Sequence, residues 1–137
     1  NTGTKHSTGD MVSSVKKFKR SNESEFKHTI AYAHDICKDA YLALLTGNET
    51  KLGKLMNQNH RLLQRIGVSN VQIDKLVEIC TKHGAIGAKL TGAGGGGCII
   101  ALLTNKQDKN SRVISKIKSH GYDLINAEID YDGLLAG

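Results

Sequence analysis

Five of the six residues from Gly92 to Gly97 are glycine, and the chain passes from them directly into the aliphatic run Cys98 to Leu103. Ordering glycine costs more conformational entropy than ordering any other residue. A dense cluster in a folded chain therefore marks backbone that needs positive φ or lets a ligand approach closely. Successive N–H groups in such a turn can converge on one concavity and bind an anion, most often phosphate. A flexible linker fits poorly: such linkers lie between polar segments, whereas Cys98 to Leu103 has the composition of a buried strand.

The two common nucleotide loops do not match. Gly92, Gly94 and Gly97 satisfy G-x-G-x-x-G, but the dinucleotide-binding form opens a helix whose N-terminus holds the pyrophosphate. Here Ile99 to Leu103 reads as a strand instead. A Walker A loop would close with Gly-Lys-Ser/Thr, and the chain contains no such tripeptide. The order is strand, glycine loop, strand.

The rest of the chain reads mostly as helix. Ser7 or Thr8 can cap a first helix that carries Met11, Val15 and Phe18 on one face and runs to about Arg20. Phe26, Ile30, Ala33, Cys37, Ala40 and Leu44 recur every three or four residues, which predicts a long helix packing that stripe into the core, with Gly47 ending it. The same spacing would suit a coiled coil, but fewer than three heptads are sustained. A third helix carries Leu52, Leu55, Met56, Leu62, Leu63 and Ile66 and closes at Gly67. Asn59 interrupts its stripe, so Asn59 either ties helices together or, with His60, lies near a ligand cleft. Ile73, Leu76, Val77 and Cys80 give a fourth helix, capped by Ser69 or Asn70 and stopped near Gly84. After the two strands around the loop come a helix with Val113, Ile114 and Ile117 and an alternating strand from Ile125 to Tyr131. Helices, two strands, a helix and a further strand make this an α+β chain.

Composition narrows the function classes. At 137 residues, with 39% apolar and 23% charged content, the chain fits one globular domain able to bury a core without disulfides. Its longest apolar run, Cys98 to Leu103, is far short of a membrane span. Cys37, Cys80 and Cys98 form no C-x-x-C pair; Cys37 and Cys80 fall on apolar helix faces, predicting buried free thiols in a reducing cytoplasm. No H-x-x-x-H pair supports a metal site. The net charge of +6, densest at Lys16, Lys17, Lys19 and Arg20, raises nucleic-acid binding, but 4% aromatic content leaves few stacking platforms. The basic residues read as the solvated side of the first helix, and the overall charge would also attract a polyanionic small ligand.

Lys-Leu-Thr-Gly-Ala-Gly-Gly-Gly-Gly-Cys, from Lys89 to Cys98, resembles the third, C-terminal glycine motif of the GHMP small-molecule kinases. Met56-Asn57-Gln58-Asn59-His60 and Ile66-Gly67-Val68-Ser69 are similar to the helix and turn upstream of it in the mevalonate kinases of that family. The segment Ala85 to Thr91 and the opening Asn1 to Thr8 continue the likeness, which implies a strand at Asn1 to His6 and with it a ferredoxin-like β-α-β-β-α-β order with extra helices in the first crossover. The resemblance implies an ATP- and Mg2+-dependent phosphoryl transfer to a small-molecule hydroxyl, mevalonate in isoprenoid biosynthesis being the favoured acceptor, with phosphomevalonate or a sugar, or a non-catalytic ferredoxin-like ligand-binding module, as the alternatives. It implies that Gly92, Ala93, Gly94, Gly95, Gly96 and Gly97 close over the ATP phosphates and that Thr8 and His6 face the acceptor. Many relatives carry arginine where His6 stands, and histidine holds a full positive charge only below a pKa near 6.5. The family's main phosphate loop, catalytic aspartate and lysine belong to an N-terminal kinase domain, which would be this chain's partner and would hold most of the Mg2+. No proline and no Gly-Leu-Gly-Ser-Ser occurs here, so no residue is assigned as catalytic. A start at Asn1 suggests a processed chain or a fragment; no nucleic-acid or membrane partner is expected, and a homodimer stays open.

Overall fold

The computed structural model describes residues 2–3, 7–104 and 107–125. The chain enters helix α1 (Thr8–Ser21) through Ser7, whose Oγ accepts the Gly9 N–H, satisfying one of the donors a helix start leaves open. Met11, Val15 and Phe18 are half-buried and every other α1 position is exposed. The helix leans on the molecule by one stripe. Phe18 meets Phe26 of helix α2 (Glu23–Leu45) at a centroid distance of 6.4 Å, and Lys19 Nζ lies 5.7 Å from the same Phe26 ring.

Helix α2 pairs with helix α3 (Glu49–Arg65) across the turn at Gly47, where φ of +63° suits glycine. Ile36, Ala43, Leu55 and Leu62 form the core between them, with Ala33, Ala40 and Leu52 at its margin. This corrects the stripe expected from spacing. The buried positions of α2 are Thr29, Ile36 and Ala43, while Ile30 is 48% and Leu44 63% exposed and Cys37 is also at the surface. α3 covers only one side of α2, and the small side chains Ala33, Ala40 and Ala43 let the two helices approach. The period of a helix does not say which flank of a broad apolar stripe its partner will take.

A second, larger core lies under the sheet. Strands β1 (Gly87–Leu90) and β2 (Ile99–Leu102) pair antiparallel, with Gly87 opposite Leu102 and Leu90 opposite Ile99. Helix α4 (Val71–His83) and helix α5 (Gln107–Ser119) bury Ile73, Leu76, Cys80, Val113 and Ile117 against Ala88 and Leu90. Gly84, at φ +124°, ends α4. Cys80 is fully buried, as expected, and burial raises its thiol pKa to about 11.

α3 runs along the outer edge of β1 at backbone contact. A Cβ on Gly87 would strike the Gly53 backbone, and one on Gly53 would strike the Ile86 carbonyl. At that range Asn57 reads the strand edge with both ends of its amide: Oδ1 accepts the Ala88 N–H at 2.9 Å and Nδ2 donates to the Ile86 carbonyl at 3.4 Å. His60 Nδ1 accepts the Leu90 N–H at 3.3 Å. An edge strand presents unpaired backbone groups; here a helix supplies their partners.

Among the described residues the sheet has two strands. Most of the expected first strand (Asn1 to His6) and all of the last beyond Ile125 lie outside them. Of the first, Thr2 donates its N–H to the Gly97 carbonyl at 2.7 Å. Mixed helix and strand is thus observed. No described helix is long and apolar enough to cross a membrane.

Candidate phosphate-binding loop

The loop between β1 and β2 is a tight turn, closed at its neck by the Thr91 N–H donating to the Cys98 carbonyl at 3.1 Å. Gly92, Gly94, Gly95 and Gly97 adopt φ of +82°, +95°, +74° and +82°, a region that side chains with a Cβ rarely enter. Gly94 is doubly constrained, since a Cβ there would collide with the carbonyl and side chain of Val68.

The turn between α3 and α4 forms the seat of this loop. The Val68 carbonyl accepts the Gly95 N–H at 2.7 Å. Asn70 Nδ2 donates to the Gly95 carbonyl at 2.5 Å, while Asn70 Oδ1 accepts the Ile73 N–H at 2.9 Å and caps α4. Among the described residues, the N–H groups of Gly92, Ala93, Gly94 and Gly96 donate to no protein acceptor. Glycine geometry and unspent amides together are what an anion site needs.

Ala93, exposed at the tip, lines an open groove of about 430 Å3 with Thr8, Met11, Val15, Lys16 and Lys19 of α1. Thr8 and Ala93, expected at the acceptor and phosphate sides of one site, therefore do share a groove. Thr8 is the first residue of α1 and is exposed. His6, the other expected acceptor residue, lies outside the described residues. The floor of the groove is apolar and its rim carries two lysines, so an anionic ligand would meet positive charge at the mouth.

A second set of polar groups stands behind the loop. Ser69 Oγ donates to Asp74 Oδ1 at 2.5 Å, and His60 Nε2 lies 3.2 Å from the same oxygen, too poorly aligned for a full hydrogen bond. Because His60 Nδ1 accepts from Leu90, its proton belongs on Nε2. Burial lowers the His60 pKa below its ordinary value; Asp74 opposes this, and Lys89 and Arg61 add to it. Lys89, half-buried on β1, has its own pKa lowered by the same cause. Neither role of Asn57 nor that of His60 follows from periodicity. Asn59, which breaks the apolar stripe of α3, is only half-buried. Asn57 and His60 face the strand three residues apart, a spacing legible only once a strand edge is known to lie there.

The sequence profile described as "GHMP kinases C terminal" matches residues 40–123. The chain belongs to the GHMP kinases. This GHMP kinase C-terminal domain is 37% identical over 138 aligned residues to mevalonate kinase of Thermococcus gammatolerans, covering 97% of the chain and 40% of that protein. It is 40% identical to mevalonate kinase of Pyrococcus horikoshii with the same coverage. Among solved structures, L. major mevalonate kinase in complex with R-mevalonate superposes with a TM-score of 0.81 at 36% identity, covering 86% of this chain and 36% of that one. The chain thus spans about 40% of the length of these curated relatives.

Proposed function

We propose that the chain is the C-terminal domain of an ATP-dependent kinase whose acceptor is mevalonate. It would work with an N-terminal domain that carries the main phosphate loop and the catalytic groups. The observation that supports this most is the glycine loop itself, with four left-handed glycines and free amides, seated beside the groove that holds Thr8. The mevalonate kinases aligned over nearly the whole chain support the choice of acceptor. The ferredoxin-like order expected from the sequence belongs to this reading.

In phosphoryl transfer the protein works by positioning and by neutralising charge. ATP, when bound, supplies the γ-phosphoryl group. The amides of Gly92, Ala93, Gly94 and Gly96 would hold phosphate oxygens, and Lys16 and Lys19 would draw the anion to the groove. Thr8, with His6, would hydrogen-bond the acceptor. The Mg2+ ligands are assigned to the N-terminal domain and to the phosphates themselves.

Coupled ADP-release assays on the full-length protein test the reading, with mevalonate, phosphomevalonate and galactose as acceptors. Turnover with mevalonate alone is expected, and the 137-residue chain by itself should stay at background. Turnover with another acceptor in place of mevalonate overturns the substrate; activity of the 137-residue chain alone overturns the division of labour.

A further inference from the structure

We propose that Asn70 is a positioning residue for the glycine loop, one that fixes the orientation of the Gly95–Gly96 peptide. The inference rests on the phosphate-binding reading of that loop. As a helix cap, position 70 needs only an acceptor, and Ser, Asp and Asn serve nearly equally well. Asn alone of these also brings an amide donor, and the structure uses both ends: Oδ1 on the Ile73 N–H and Nδ2 on the Gly95 carbonyl.

The consequence follows from peptide planarity. In a trans peptide the carbonyl of one residue and the N–H of the next point in opposite directions. Holding the Gly95 carbonyl toward α4 therefore turns the Gly96 N–H away from α4, and this is one of the amides with no protein acceptor. The Gly95 N–H is fixed in turn by the Val68 carbonyl at 2.7 Å, so the residue is gripped on both sides. Glycine populates either sign of φ with equal ease. Without the clamp the Gly95–Gly96 peptide is free to turn over, which would present a carbonyl oxygen where a phosphate oxygen should meet an N–H.

The test uses Asn70→Ser and Asn70→Asp in the full-length protein. Both keep the cap and lose one hydrogen bond, so thermal midpoints should fall by a few degrees at most. Asp has no donor, and the Ser hydroxyl, engaged as the cap, is one bond shorter than the Asn amide, so the Nδ2 bond to Gly95 is lost in both and the KM for ATP should rise about three- to tenfold, the range one hydrogen bond commands, while the KM for mevalonate changes less than twofold. Asp should exceed Ser, because its carboxylate repels the Gly95 carbonyl. Hydrogen–deuterium exchange of the 94–97 amides, measured without ligand, should quicken in both variants. Unchanged exchange in both overturns the clamp, whatever the kinetics. Faster exchange with an unchanged KM for ATP overturns the positioning role. If the wild-type protein has no kinase activity, the functional reading fails separately, and exchange alone decides whether Asn70 orders the loop.

Discussion

Two regions of this domain are built on different terms. Along α3, β1 and the glycine loop, backbone touches backbone at Gly53 and Gly87, and side chains of Asn57, His60 and Asn70 satisfy specific main-chain groups. In the α1–α2 arm, α1 has no fully buried residue, and α2 leaves Ile30, Tyr41, Leu42, Leu44 and Leu45 exposed. The first region is specified by shape and hydrogen bonds, the second by a stripe of apolar contact. On the proposed reading, a phosphate loop hung on the first would inherit a fixed geometry, whereas the groove wall supplied by α1 rests on half-buried contacts alone.

Gly87→Ala should break the contrast most sharply. Its methyl group has nowhere to go but the Gly53 backbone, so α3 must shift off the strand edge. A loss of about 3 kcal/mol is expected, at the upper end of overpacking costs, read by denaturant unfolding. A loss below 1 kcal/mol would show that α3 and β1 are not in rigid contact.

Gly94→Ala comes next and has an internal control. Gly92 and Gly94 both sit at positive φ, but only Gly94 would also meet Val68. Gly92→Ala should cost about 1 kcal/mol through backbone strain alone, and Gly94→Ala about 2 to 3 kcal/mol. Equal losses would mean that the Val68 seat yields, and that the loop is less fixed than its contacts imply.

The pH response should come mainly from the tight region. Burial depresses the His60 pKa, so the unfolded chain binds the proton more readily than the folded one. Stability from this group is fully present above the unfolded value near 6.5 and is lost as pH falls below it, through the folded pKa. Protonation would also set an Nδ1–H against the Leu90 N–H. Thermal midpoints between pH 7 and 5 should fall less steeply in His60→Gln than in wild type. Identical slopes would remove His60 from the account.

The smallest effect is expected on the open side of α2. Leu44→Ser should change stability by about 0.5 kcal/mol or less, as exposed positions do, whereas Ile36→Ala, seven residues from Ala43 on the buried line, should cost about 2 to 4 kcal/mol. A large loss for Leu44→Ser would mean that a further surface covers this face.

Local chemistry fixed much of this domain before any packing was known. The helix starts, where Ser7 and Asn70 take caps that the sequence left between Ser7 and Thr8 and between Ser69 and Asn70, the stops at Gly47, Gly67 and Gly84, and the strand–loop–strand hairpin all depend on near neighbours in the chain. The glycine run was legible for the same reason: positive φ at four of six positions strains a residue with a Cβ and favours glycine. Which flank of α2 turns inward depended on where α3 lay, and the exposure of Cys37 and Leu44 follows from that alone. The roles of Asn57, His60 and Asn70 join residues about 25 to 31 positions apart. A side chain's partner at that distance is set by how helices settle on a strand edge, and a one-dimensional pattern holds no record of it.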